Sequence, residues 1–263
     1  MRKLIYFLVI FFWASSAFSA ATWDGSTITK IDGSTITKWD GATVAASCTS
    51  VVADYWQPFD ATDFLTSPPT GWVITDTGSN LSMSTSGEFA TLKCPNGTVD
   101  TGTRGLAFNN SGGAAAYGTY TFTASDSVSV GFWFKPGSLI NTWAWHNIFS
   151  FLDSGDSELC MIQAGDGGSN MMLRLYCGTG SSTISISTAT QYWISAQFSK
   201  AGTSSLAVYD STGSQVGSTV TDTAPNYQAT KLYIGFHAAY GTGTSYFDDL
   251  LIDFTDATFP LGP

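Results

Sequence analysis

The chain has 263 residues, of which 43% are hydrophobic, 14% aromatic and only 11% charged, against roughly 25% charged in an average globular chain. So many aromatic residues exclude a disordered polymer, and so little charge excludes long solvent-exposed helices. A formal net charge of −10 opposes binding to a phosphate backbone, which requires clustered Lys and Arg, so nucleic acid is not an expected partner.

Arg2 and Lys3 precede the apolar run Leu4 to Trp13, and small residues follow through Ala21. That order of charge, apolar run and small residues reads as a secretory signal over residues 1–20. The run falls short of the roughly twenty apolar residues that span a bilayer, and no later run reaches that length, so no permanent membrane span is expected. An uncleaved anchor is the alternative. The product is expected to be secreted, extracellular or periplasmic, and acidic. All four cysteines, Cys48, Cys94, Cys160 and Cys177, lie in the exported part, and an even count in an oxidising compartment favours two disulfides. Cys160 pairs best with Cys177, because Glu158 to Ala164 and Met171 to Cys177 read as two strands joined by a Gly-rich turn. Cys48 is then left to Cys94.

Residues 21–50 carry a period-eight repeat: Trp23-Asp24-Gly25-Ser26-Thr27-Ile28-Thr29-Lys30, then Ile31-Asp32-Gly33-Ser34-Thr35-Ile36-Thr37-Lys38, then Trp39-Asp40-Gly41-Ala42-Thr43-Val44. The unit reads as a turn plus a strand, with Asp-Gly supplying the tight turn and Ser-Thr-Ile-Thr alternating as a half-exposed strand does. Such units could pack as a small hairpin, act as a stalk, or donate a strand to a neighbouring copy, which makes a homo-oligomer a possible outcome.

From Tyr55 onward, short β-rich runs are separated by Gly, Asp, Asn and Ser, and no helical periodicity competes. Ser127 to Phe134, ended by Lys135-Pro136-Gly137, is a strand, as are Asn147 to Leu152, Gln191 to Phe198, Ser205 to Tyr209 and Lys231 to Phe236. Strands at such spacing imply a sandwich or barrel.

Several of these runs resemble, in order, the strands of concanavalin A-like jelly rolls of the laminin G type. Ser129 to Pro136 resembles the family's early "sFWvKP" strand. Gln191 to Phe198 resembles its "W-h-h-v-a" strand, and Leu206 to Gly213 with Gln215-Val216-Gly217 its "l-y-v-d-G-x-x-v-g" segment. Lys231 to Gly235 and Tyr246 to Ile252 are similar to its closing "l-y-i-G" and "f-i-D-d-v-x-i" strands. The resemblance covers roughly Tyr55 to Phe259 and implies an all-β, antiparallel β-sandwich. That fold serves lectins, adhesion modules, glycosidases and lyases, so it does not choose a ligand.

Hydrolysis on this scaffold needs two carboxylates facing one sugar bond. The family's Glu-x-Asp-x-x-Glu strand is absent, and the only glutamates, Glu88 and Glu158, lie far apart. Asp248 and Asp249 alternate faces on a strand, while Asp249 and Asp253 would share one. The Gln-x-His pattern of the family's lyases does not occur at His146 or His237. Neither a Gly-x-Ser-x-Gly elbow nor a nucleotide fingerprint is present, so an enzyme is not expected.

Sugar recognition stacks aromatic faces on pyranose rings and fixes hydroxyls with polar groups. In Asn141-Thr142-Trp143-Ala144-Trp145-His146-Asn147, Trp143 and Trp145 share one side of an extended segment, where they form either core or a binding platform with His146 beside them. Tyr240, in a Gly-rich loop, is a further contact candidate. Asp153, Asp156 and Glu158 cluster around Gly155 as hard oxygens that suit Ca²⁺, or as an acidic turn; in laminin G-like domains a rim calcium site is common, which the resemblance implies. Asn80, Asn96 and Asn109 open N-x-Ser/Thr sequons that would mark surface loops.

The expectation is a signal peptide over 1–20, a repeat extension over 21–50 and a jelly-roll sandwich over 51–263. Its function is non-catalytic recognition of a polysaccharide or glycan surface, or of another extracellular component. The alternatives are a structural or adhesive subunit assembled through the repeat and, less favoured, a polysaccharide-degrading enzyme.

Overall fold

The structure is a computed structural model, and it describes residues 22–23, 26–27, 30–31, 34–35, 38–39, 42–43, 53–59, 63–84, 89, 105–111, 115–137, 145–166, 171–236 and 242–262. Cys48, Cys94, Trp143, His237 and Tyr240 lie outside the described residues, as does Asn96. The chain divides into two compact units, Met1–Thr49 and Ser50–Pro263.

In the first unit, β1 (Thr22–Trp23) pairs with β2 (Ser26–Thr27), β3 (Lys30–Ile31) with β4 (Ser34–Thr35), and β5 (Lys38–Trp39) with β6 (Ala42–Thr43). Each repeat therefore folds back on itself. The closing pairs Trp23↔Ser26, Ile31↔Ser34 and Trp39↔Ala42 each bracket one Asp-Gly dipeptide, the residue pair best suited to a two-residue hairpin connection. The expected single strand per repeat is replaced by a local antiparallel pair.

The second unit contains β7 (Tyr55–Gln57), β8 (Trp72–Asp76), β9 (Leu81–Met83), β10 (Leu106–Ser111), β11 (Ala116–Ser125), β12 (Ser127–Pro136), β13 (His146–Leu152), β14 (Glu158–Asp166), β15 (Met171–Tyr176), β16 (Ile184–Ile186), β17 (Tyr192–Ser199), β18 (Thr203–Asp210), β19 (Val220–Thr223), β20 (Ala229–Phe236) and β21 (Thr242–Asp253). They form two antiparallel sheets. One has eight strands in the order β19-β18-β17-β12-β21-β10-β9, with β7 also on β21; the other has seven in the order β16-β15-β14-β13-β20-β11-β8. The second unit is an all-β sandwich of jelly-roll type, and the strands expected from Ser127, Asn147, Glu158, Met171, Gln191, Ser205, Lys231 and Tyr246 are present within a few residues of their expected ends.

Aromatic residues fill the space between the sheets. Phe132 on β12 stacks on Phe149 on β13 with ring centres 5.3 Å apart, Phe151 meets Phe198 at 5.8 Å, and Phe108 meets Phe236 at 6.2 Å. Each pair joins one sheet to the other. Every such fully buried side chain contributes about 1.5–3 kcal/mol by leaving water. The expected Cys160–Cys177 disulfide is formed across β14 and the end of β15, with both sulfurs on the core side.

The eight-stranded sheet is buried on its outer side too, which alternation alone did not indicate. There Trp133, Trp193, Leu251, Leu261 and Phe89 make a second cluster, closed by the C-terminal segment. The Trp193 Nε1–H donates to the Leu261 carbonyl at 2.7 Å, and the Leu261 amide donates to the Ser195 hydroxyl at 2.9 Å. Gly131 makes this possible, since a Cβ there would lie 2.4 Å from the Trp193 ring.

Two sequence expectations are corrected on this sheet. A register shift between Gly131 and Trp133 gives β21 an extra residue, a bulge centred on Asp249 with φ +51°, so plain alternation does not govern Asp248 and Asp249. Both are buried; the Asp249 amide donates to Asp248 at 3.0 Å, and Asp249 accepts from Trp56 at 3.2 Å. Asp253 instead accepts the amides of Asp256 and Thr258 in the turn after β21. Asp249 and Asp253 are thus bonded to different segments of the chain. Asn80 is also buried, because Asp76 captures the amides of Gly78, Asn80 and Leu81 and turns that segment inward; Asn109 is exposed.

Candidate functional site

The outer side of the seven-stranded sheet carries no second apolar cluster among the described residues. Alternation decides what stands on it. Along β15, Met171, Leu173 and Leu175 are buried and Met172, Arg174 and Tyr176 are half-buried, so every second residue faces outward. The register then sets Arg174 beside Gln163 and Gln163 beside Asn147, on three neighbouring strands.

These side chains are bonded in one direction. The Arg174 Nε–H donates to Gln163 Oε1 at 2.8 Å, Gln163 Nε2 donates to Asn147 Oδ1 at 2.8 Å, and Asn147 Nδ2 donates to Glu158 Oε1 at 2.9 Å. A guanidinium can only donate and a carboxylate can only accept, so the two amides between them have a single consistent orientation. Glu158 also accepts from the Tyr233 hydroxyl and from Ser150 at 3.4 Å. Burial, and then the Glu158 carboxylate beside it, push the Tyr233 phenol well above its ordinary pKa, so the phenol keeps its proton and serves as a donor.

At the other end, Trp145 lies against Gly165, where a Cβ would come within 2.9 Å of the ring. The Arg174 guanidinium sits over Trp145 at 4.1 Å from the ring centre and 5.3 Å from that of Tyr176. Trp145 and Tyr176 are both half-buried. The result is a strip that runs from an aromatic and cationic end to a carboxylate end, with amide groups between, which is suited to stacking on a ring and fixing hydroxyls.

Of the residues expected at a ligand site, the structure places Trp145 on this strip. His146 is corrected. Its backbone pairs with core-facing Ala164 and its side chain is buried, because neighbouring strand residues point to opposite faces. Burial pushes its imidazole pKa down, which favours the neutral form.

The three carboxylates expected for calcium are each bonded to different partners. Asp153 accepts the amides of Gly155 and Ser157 at 2.8 and 2.9 Å and closes its own turn. Asp156 pairs with Lys231 at 2.6 Å, and Glu158 belongs to the strip. No group of three or more His, Cys, Asp or Glu side chains is arranged to hold a metal among the described residues.

Arg174, Gln163, Asn147, Tyr176 and Tyr233 were not singled out from sequence, though the signal for the first two was present. Once Cys160 and Cys177 are paired across a hairpin facing the core, Gln163 and Arg174 must stand on its other side.

No family model matches the chain, and no curated protein matches it. Among solved structures it is similar to a cellulose-induced protein, Cip1, at 15% identity over 73% of this chain and 96% of that one, with a TM-score of 0.48. It is also similar to domain 4 of AbnA, a GH43 extracellular arabinanase from Geobacillus stearothermophilus in complex with arabinotriose, at 15% identity over 77% and 91% with a TM-score of 0.47. A third is a protein of unknown function from Shewanella oneidensis MR-1, at 17% identity over 80% and 91% with a TM-score of 0.48.

Proposed function

We propose that the protein is a secreted, non-catalytic recognition module that binds carbohydrate on the outer side of its seven-stranded sheet. The observation that carries this reading is the strip itself: half-buried Trp145 and Tyr176 gather around Arg174 at one end of a row of oriented hydrogen-bonding groups on the outer side of that sheet. A binding role also fits the carboxylates. Glu158 is engaged by three donors, and Asp249 and Asp253 hold a bulge and a turn.

Polysaccharide pull-down or a glycan array tests the reading. The full chain is expected to retain at least one polysaccharide, and Trp145→Ala to weaken that retention about tenfold, the loss expected when a stacking contact worth ~1.5 kcal/mol goes. Retention unchanged by Trp145→Ala would move the site elsewhere. Adding EDTA to the same assay tests a calcium requirement.

A second reading, a structural or adhesive subunit, is favoured by one observation: three consecutive hairpins bracket the Asp-Gly units in a compact unit of their own. Deleting residues 22–44 is expected on that reading to convert large particles to monomers in light scattering while the sandwich stays folded.

A further inference from the structure

Resting on the carbohydrate reading of this same face, we propose that the ligand is an anionic glycan whose oxyanion, carboxylate or sulfate, docks on the free edge of the Arg174 guanidinium. An arginine carries five N–H donors in a planar fork. Here the Nε–H is committed to Gln163, which fixes the plane of the fork, and Trp145 and Tyr176 hold it from the sides. The four Nη–H donors have no acceptor among the described residues, and no described carboxylate lies within ion-pair distance of them.

Asp and Glu outnumber Lys and Arg by 20 to 10, and Lys200 and Lys231 each have an aspartate partner. The nearest carboxylate along the strip, Glu158, is separated from Arg174 by the two amides and accepts bonds from other groups. Burial lowers the Arg174 pKa from its ordinary value, and Tyr176 beside it offsets this only in part. A half-buried, pre-oriented fork of this kind loses little freedom on meeting a planar oxyanion and forms two parallel bonds with it.

Gly180 has φ +83°, and a Cβ there would stand 3.2 Å from the Tyr176 ring and 3.7 Å from Arg174 Nη1. Glycine at this position leaves room beside the fork. The remaining ingredients suit a sugar: Trp145 and Tyr176 leave half-buried aromatic surface beside the fork, and the Asn147 amide stands further along the strip.

The experiment measures binding of the full chain to polygalacturonate, its methyl-esterified form, dextran sulfate and neutral dextran, for wild type, Arg174→Gln, Arg174→Lys and Trp145→Ala. A melting curve confirms that each variant is folded. Wild type is expected to bind polygalacturonate or dextran sulfate and to lose at least about tenfold on esterification or in Arg174→Gln, with partial rescue by Arg174→Lys, which keeps the charge but not the fork. Which polymer is retained separates carboxylate from sulfate. Retention by non-specific charge attraction is disfavoured at a net charge of −10, because the protein as a whole repels polyanions. Equal binding of charged and esterified polymer, or Arg174→Gln binding like wild type, overturns the proposal. If a neutral polysaccharide binds and only Trp145→Ala abolishes it, the anionic assignment falls while carbohydrate recognition stands; if no polysaccharide is retained, both fall.

Discussion

Replacing Gly235 with alanine is expected to destabilise the sandwich by about 4 kcal/mol, a large share of the 5–15 kcal/mol that holds a typical domain together. Gly235 lies in β20 with φ +122°, a backbone conformation that L-residues rarely adopt and that costs roughly 1–3 kcal/mol by itself. The reversed backbone also changes where a side chain would point. A Cβ at Gly235 would lie 2.3 Å from the Phe108 ring and 2.5 Å from the Ala116 carbonyl oxygen. Phe108 is fully buried between Phe236 and Phe247 and cannot swing away without opening the core, while the Ala116 carbonyl belongs to β11, which pairs with β20. Overpacking of this kind adds about 1–3 kcal/mol. Gly213 provides the control: its φ is +82° and nothing lies within 4 Å of its Cβ position, so Gly213→Ala is expected to cost about 1 kcal/mol, the strain alone. Chemical denaturation of the two variants separates strain from clash. A Gly235→Ala protein no less stable than Gly213→Ala would show that the core at Phe108 is loosely packed.

The same glycine shows what kind of information the sequence carries. It was read as the last letter of an "l-y-i-G" strand, which located β20 but not the reason for a glycine. Short β-rich runs bounded by turn residues made the Cys160–Cys177 pairing and the runs that became β12, β13, β17, β18 and β20 legible, and the family resemblance added β21. Such runs do not report which strand lies next to which. β13 is flanked by β14, next in the chain, and by β20, far along it, so the contact of Tyr233 with Glu158 across 75 positions had no local signature. Glu158 was accordingly read with its sequence neighbours Asp153 and Asp156 as a calcium cluster, whereas the sheet turns it toward Asn147 and Tyr233. His146 was grouped with Trp145 by adjacency, and the pleat separates them. The bulge at Asp249 escaped for a related reason: one extra residue is visible only against the partner strand it fails to match.

Asp222→Ala is expected to cost about 3 kcal/mol, since deleting one buried acceptor strands several donors at about 1–3 kcal/mol each before water partly replaces it. Asp222 stands on β19, at the edge of the eight-stranded sheet, yet its carboxylate binds the segment that follows β15 in the other sheet. Oδ2 accepts the amides of Cys177 at 2.7 Å and Gly180 at 2.9 Å, and Oδ1 accepts the Thr179 hydroxyl at 2.5 Å and the Thr223 amide at 2.8 Å. One side chain thus ties the two sheets where the disulfide fixes Cys177, and it holds Gly180 beside the Arg174 fork. For a domain of this size the loss corresponds to a fall of roughly 9 °C in melting temperature. The pH dependence gives a second readout. Burial raises the Asp222 pKa, but the bonds from Thr179, Cys177, Gly180 and Thr223 outweigh it and hold the folded value below the ordinary 3.8. A group depressed on folding stabilises the native state above its unfolded pKa, and that stabilisation drains away as pH falls through the folded one. The melting-temperature gap between wild type and Asp222→Ala should therefore be constant at neutral pH and narrow below pH 3.8. Other carboxylates titrate there too, but they act on both proteins alike, so the gap isolates Asp222. A gap that widens with acid would mean that the carboxylate is not the group holding this junction.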